Sequence, residues 1–68
     1  MQIRWKLKEM RTERGVSQLE LARLSGVSKS NISAIEKGVI KKPSFIEILK
    51  MAKVLEVDIK ELYEEIEK

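Results

Sequence analysis

The sequence predicts an all-α fold of five short helices, and three observations carry that expectation. Ser or Asp followed three residues later by Glu recurs at Ser17/Glu20, Ser44/Glu47 and Asp58/Glu61. This is the capping-box spacing, in which each side chain satisfies the other residue's backbone N–H at a helix start. Glycines at 15, 26 and 38 fall where helices would stop, in the left-handed conformation a C-terminal cap uses. Between these signals, apolar residues recur every three or four positions.

The first helix is expected over about Arg4–Arg14, with Ile3, Leu7 and Met10 on its apolar side and Gly15 as its stop. Ile3, Trp5 and Leu7 also alternate with Gln2, Arg4 and Lys6, so the first residues fit an extended segment as well. The second helix spans Gln18–Ser25. Ser17 caps it, Val16 and Leu21 have the hydrophobic-staple spacing, and Leu21 and Leu24 face the core beside the small Ala22. The third runs over Lys29–Lys37 from the cap Ser28, with Ile32 and Ile35 inward and Gly38 after it. Pro43 and Ser44 open the fourth, about Phe45–Leu55, whose stripe is Phe45, Ile48, Leu49, Ala52 and Leu55. Asp58 opens a fifth, about Ile59–Glu67, with Ile59, Leu62, Tyr63 and Ile66 on one side. These stripes are expected to meet in one core.

At 68 residues, one domain over 1–68 is expected. A chain of this size buries only about 60% of the surface its unfolded form exposes. The sequence has no Cys and no His. That excludes a disulfide framework, a thiol nucleophile and a zinc site of the usual ligands. No Gly-rich phosphate loop occurs, Ser17, Ser28 and Ser44 sit at caps, and Glu64, Glu65 and Glu67 read as a solvated helix end rather than a calcium loop. The expectation is a non-enzyme with no cofactor and no metal. No apolar run approaches the roughly 18 residues of a membrane span. Met1–Lys8 alternates charged and apolar residues, unlike a signal peptide. A cytoplasmic protein with no membrane partner is expected.

Charge divides the chain. Residues 1–42 carry ten Lys/Arg and four Glu, a net +6, whereas residues 43–68 carry four Lys and seven Asp/Glu, a net −3. A basic front fits a polyanionic partner, or simply a solvated surface with uneven ends.

The second and third helices, joined through Ser25, Gly26, Val27 and Ser28, have the helix-turn-helix arrangement over about residues 18–37. With Ile32 and Ile35 inward, Ser30, Ser33, Ala34 and Lys37 fall on the opposite side and Lys29 lies at its edge. That face suits an approach to base edges and phosphates, or plain solvation.

Ser17-Gln18-Leu19-Glu20-Leu21-Ala22, Ser25-Gly26-Val27-Ser28, Asn31-Ile32-Ser33-Ala34-Ile35-Glu36-Lys37-Gly38 and Pro43-Ser44 together resemble the phage repressor/Cro (XRE) helix-turn-helix domain. The likeness extends over about residues 7–62 and includes Arg11, Gly15 and Val57-Asp58-Ile59…Leu62. It implies a compact five-helix, lambda-repressor-like fold that places its third helix in the DNA major groove and binds as a homodimer. By position, Lys29, Ser30, Ser33 and Ala34 would face bases, and Gln18, Lys37, Lys41 and Lys42 would contact phosphates, with Asn31 at the rim. Arg11 and Glu36 would form a partly buried structural ion pair.

With no Arg, Gln or Asn on the central face, base readout is expected to be modest and supplemented by DNA shape. Lys29 fits guanine, and Ala34 fits a thymine methyl group. Val39 and Ile40 in a loop, Trp5 opposite the Leu7/Met10 stripe, and Ile46 and Val54 off the main stripe of the fourth helix leave apolar surface uncovered. With Tyr63 and Ile66, Ile46 and Val54 are candidates for a dimer interface.

The expected function is a sequence-specific transcriptional regulator, a repressor on a pseudo-palindromic operator in double-stranded DNA, in a prokaryotic, archaeal or phage setting. One alternative is an autoregulating antitoxin that also holds a toxin or co-regulator. A second is a protein-interaction adaptor that has kept the fold but lost DNA binding.

Overall fold

The computed structural model describes residues 2–66. Its order is β1 (Gln2–Trp5), α1 (Leu7–Glu13), α2 (Gln18–Ser25), α3 (Lys29–Glu36), α4 (Phe45–Leu55), a 3-10 turn (Ile59–Leu62) and β2 (Tyr63–Ile66). Four α-helices and a two-stranded sheet thus replace the five helices expected. The helix-turn-helix pair is present, with α2 packed on both α3 and α4.

The helices and the 3-10 turn contribute to one core, whose fully buried side chains are Leu7, Leu21, Ile32, Ile35, Met51, Leu55 and Leu62. Three expected core residues are exposed instead, and one of them, Ile3, lies in β1 and is 38% exposed. Leu24 is 58% exposed and Phe45 is 65% exposed. Each of these two sits on a helical stripe, but no neighbouring element covers that part of its helix. Met51, off the predicted stripe, is buried instead.

Three helices end in the same way. After α1, the Gly15 N–H donates to the Thr12 carbonyl at 3.0 Å and the Val16 N–H to the Arg11 carbonyl at 3.0 Å. After α3, Gly38 donates to Ile35 at 3.2 Å and Val39 to Ala34 at 2.9 Å. After α4, Glu56 donates to Lys53 at 3.2 Å and Val57 to Ala52 at 3.1 Å. This crossed pair of bonds is the Schellman motif, which satisfies carbonyls the helix leaves open and needs a left-handed residue at its first donor. Glu56 fills that place in α4 with φ +58°, as the one non-glycine with positive φ among the described residues.

The helix starts are mixed. The Glu20 N–H donates to Ser17 Oγ at 3.0 Å and the Asn31 N–H to Ser28 Oγ at 3.1 Å. At the 3-10 turn, the Asp58 N–H donates to Glu61 Oε2 at 2.9 Å and the Lys60 N–H to Asp58 Oδ1 at 3.2 Å. Ser44 makes no such side-chain bond. The Glu47 carboxylate that the expected box would use accepts instead from Asn31 Nδ2 at 3.3 Å.

The expected fifth helix stops after one 3-10 turn. Beyond it, Tyr63–Ile66 pairs antiparallel with Gln2–Trp5, Trp5 opposite Tyr63 and Gln2 opposite Ile66. Glu67, the expected end of that helix, lies outside the described residues. The first residues are therefore strand, and the helix expected from Arg4 begins at Leu7. The Lys6 N–H continues the ribbon by donating to the Leu62 carbonyl at 2.7 Å. The Trp5 and Tyr63 rings meet edge to face at 5.9 Å, and Arg4 bridges Glu9 at 2.8 Å and Glu64 at 3.3 Å.

Candidate nucleic-acid interface

The turn between α2 and α3 is fixed by short-range bonds. Gly26 adopts φ +79° and donates its N–H to the Ala22 carbonyl at 2.9 Å. Ser25 is buried, and its hydroxyl donates to the Leu21 carbonyl at 2.6 Å and accepts from the Val27 N–H at 3.2 Å. Val27, Ile32 and Ile35 then hold α3 against the core.

Burial of Ile32 and Ile35 sends the opposite face of α3 outward. Lys29, Ser30 and Lys37 are exposed, and Ser33 and Ala34 are half-buried between them. These five side chains, with Val39, line one open depression. Lys41 and Lys42 are exposed in the following loop and do not line it. Among the described residues, no carboxylate lies within ion-pair distance of Lys29, Lys37, Lys41 or Lys42. Their charge is therefore available to an external anion.

Behind α3 lies a buried ion pair. Arg11 Nε donates to Glu36 Oε2 at 2.8 Å and Arg11 Nη2 to Glu36 Oε1 at 3.1 Å, while Nη1 donates to the Val16 carbonyl at 2.9 Å. The side chains are 12% and 4% exposed. The two parallel bonds match the fork of the guanidinium to the carboxylate. Gln18 Nε2 also donates to Glu36 Oε1, at 2.8 Å. Glu36 thus orients the side chain at the start of α2, eighteen residues away in sequence. No local pattern in the sequence signals that bond.

A second tie reaches the lysine loop. The Trp5 indole N–H donates to the Lys41 carbonyl at 3.2 Å. The four residues considered for a dimer interface differ among themselves. Ile46 is 57% exposed, beside Phe45. Val54 is half-buried against the core, Tyr63 half-buried against Trp5, and Ile66 half-buried in β2. Among the described residues, no cluster of acidic side chains could hold a metal ion, and no helix is long and apolar enough to cross a membrane.

A helix-turn-helix pair capped at both starts, with one helix offering an exposed basic and small-residue face, defines a helix-turn-helix protein. The family model described as helix-turn-helix matches residues 7–62, and the chain belongs to that family, in its XRE-type branch. The chain is 38% identical over 60 residues to the HTH-type transcriptional regulator SinR of Bacillus subtilis, covering 88% of this chain and 54% of SinR. It is 44% identical over 54 residues to the regulator SlrR of the same organism, covering 79% of this chain and 36% of SlrR. The chain therefore spans about half the length, or less, of the curated relatives it matches. Among solved structures, SinR in complex with DNA superposes with a TM-score of 0.77 at 39% identity, covering 79% of this chain and 86% of that one. The restriction-modification controller protein C.AhdI of Aeromonas hydrophila superposes with a TM-score of 0.76 at 39% identity, covering 82% and 83%.

Proposed function

We propose that the chain is a sequence-specific DNA-binding transcriptional regulator, a repressor that lays α3 in the major groove. The observation that carries this reading is the single depression formed by Lys29, Ser30, Ser33, Ala34 and Lys37 on the solvent side of the second helix of the motif. Small residues at its centre let the helix approach base edges, and lysines at its ends meet phosphates or guanine. Gln18 at the start of α2 and Lys41 and Lys42 beyond α3 flank that face with further phosphate contacts. The solved complex of SinR with DNA supports the same use here. Two copies bind as a homodimer on a pseudo-palindromic operator, with half-sites about one helical turn apart. Ile46, exposed beside Phe45, is the strongest of the four interface candidates. The protein works in the cytoplasm and uses no cofactor.

The test is selection of bound duplexes from a random library at moderate salt. Recovery of an inverted repeat is expected, with affinity that falls steeply as salt rises because counterions are released. No enrichment over the input library overturns the reading.

A protein partner is the second reading, favoured by one pair of residues. Phe45 and Ile46 are adjacent, 65% and 57% exposed, and on the first turn of α4. SinR has also been solved as a complex with SinI, at a TM-score of 0.76 to this chain.

A further inference from the structure

We propose that Val39 is a specificity-determining residue that contacts the 5-methyl group of a thymine in the major groove, next to Ala34. The inference rests on the DNA-binding reading above and adds a residue to it that lies outside the recognition helix.

The three Schellman ends supply the comparison. In each, the residue after the left-handed position is a valine: Val16, Val39 and Val57. An apolar residue there ordinarily packs back on its own helix. Val16 and Val57 do pack against the core. Val39 is 73% exposed, the most exposed large apolar side chain among the described residues. The structural role of such a residue therefore leaves most of its surface unused.

Its placement is rigid. The Val39 and Ile40 N–H groups both donate to the Ala34 carbonyl, at 2.9 and 3.1 Å. Ile40 packs against the core immediately after it. Held between these anchors, Val39 lines the same depression as Ala34 and Lys37. An apolar wall flanked by cations fits a DNA groove, where phosphates meet the lysines. The thymine 5-methyl is the one apolar group a base pair shows in the major groove. A small β-branched side chain beside an alanine forms a pocket edge of matching size.

The test uses the whole chain, the operator recovered by selection, and copies of it with each thymine replaced by deoxyuridine, which lacks only the methyl group. One symmetry-related thymine is expected at which this replacement weakens wild-type binding about three- to fivefold per half-site, the ratio set by burying one methyl group. Val39→Ala is expected to bind thymine and deoxyuridine duplexes alike at that position and to keep the wild-type affinity for random DNA. Retention of every thymine preference by Val39→Ala overturns the proposal and leaves DNA binding standing. A loss equal on all duplexes also overturns it, because it marks a backbone contact. Failure of the wild type to select any sequence overturns both readings together.

Discussion

The Trp5 indole N–H donates to the backbone carbonyl of Lys41 at 3.2 Å, so the ribbon made from the two ends of the chain is fastened to the loop that carries Lys41 and Lys42. Trp5→Phe keeps an aromatic ring against Tyr63 but removes that donor together with part of the ring surface packed against the core. The hydrogen bond alone is expected to contribute about 1 kcal/mol, so Tm is expected to fall by no less than about 4–8 °C in a domain of this size. Thermal melting checks it. An unchanged Tm shows that the bond contributes nothing to the fold.

Glu36 accepts from Arg11 and Gln18 while 4% exposed. Glu36→Ala leaves a guanidinium buried without its partner, an expected loss of about 3–5 kcal/mol. Glu64 in β2 is half exposed where it meets Arg4. Glu64→Ala is expected to cost at most about 1 kcal/mol. Urea unfolding of the two variants separates them, and equal midpoints remove the structural role of the buried pair.

Glu56 holds a left-handed conformation at the end of α4 and makes no side-chain hydrogen bond or ion pair among the described residues. For a residue with a Cβ, that conformation costs about 1–2 kcal/mol. Glycine avoids the strain and gives back about half of it through the greater freedom of the unfolded chain. Glu56→Gly is expected to raise the urea midpoint. A lower midpoint shows that the strain is absorbed elsewhere.

The hydrogen bond from Arg4 holds the Glu9 carboxyl below its ordinary value of 4.5, chiefly through that bond and with a smaller contribution from Coulomb attraction. A depressed folded value stabilises the fold above the ordinary glutamate range, and that contribution fades as pH falls through the folded value. Both side chains are about half exposed, so the effect is small and salt-sensitive. Glu9→Gln is expected to flatten the acid limb of Tm against pH below about 4.5 and to change little at neutral pH. An identical acid limb in both proteins removes the contribution.

Gln18 and Lys29 are expected to act differently on DNA. Gln18 is held by Glu36 with its amide beside the α2 N-terminus, where a phosphate would meet it. Gln18→Ala is expected to weaken binding to all sequences by a similar factor. Lys29→Ala is expected to reduce the ratio of operator to random-DNA affinity. Competition titrations measure both, and an unchanged ratio for Lys29→Ala withdraws its base contact.

The motif itself was legible because its signals are local. Ser17, Ser28 and Gly26 act within four residues of where they stand, and Ile32 and Ile35 follow the helical period. The chain ends were not legible in the same way. Ile59, Leu62, Tyr63 and Ile66 fit a helical stripe, yet Tyr63 and Ile66 belong to a strand whose partner lies some sixty residues earlier. The alternation of Ile3, Trp5 and Leu7 was the only hint of that partner. Ser44 shows a different limit. A capping pattern states what two side chains can do, and Asn31 drew Glu47 away from it. In the candidate interface, helical spacing identified the face of α3. It did not identify Val39, whose position depends on how the helix ends.

The ribbon that joins the two ends also decides how the molecule would yield to tension. Gln2 pairs with Ile66, and the rungs run inward to Trp5 and Tyr63. A pull applied at the two ends loads those rungs one after another, as in a zipper, rather than all at once as in shear. The outer rungs part first, under little force. The Trp5–Tyr63 contact and the indole bond to Lys41 come next. A load arriving through flanking chain would therefore loosen the lysine loop before it disturbed the helices.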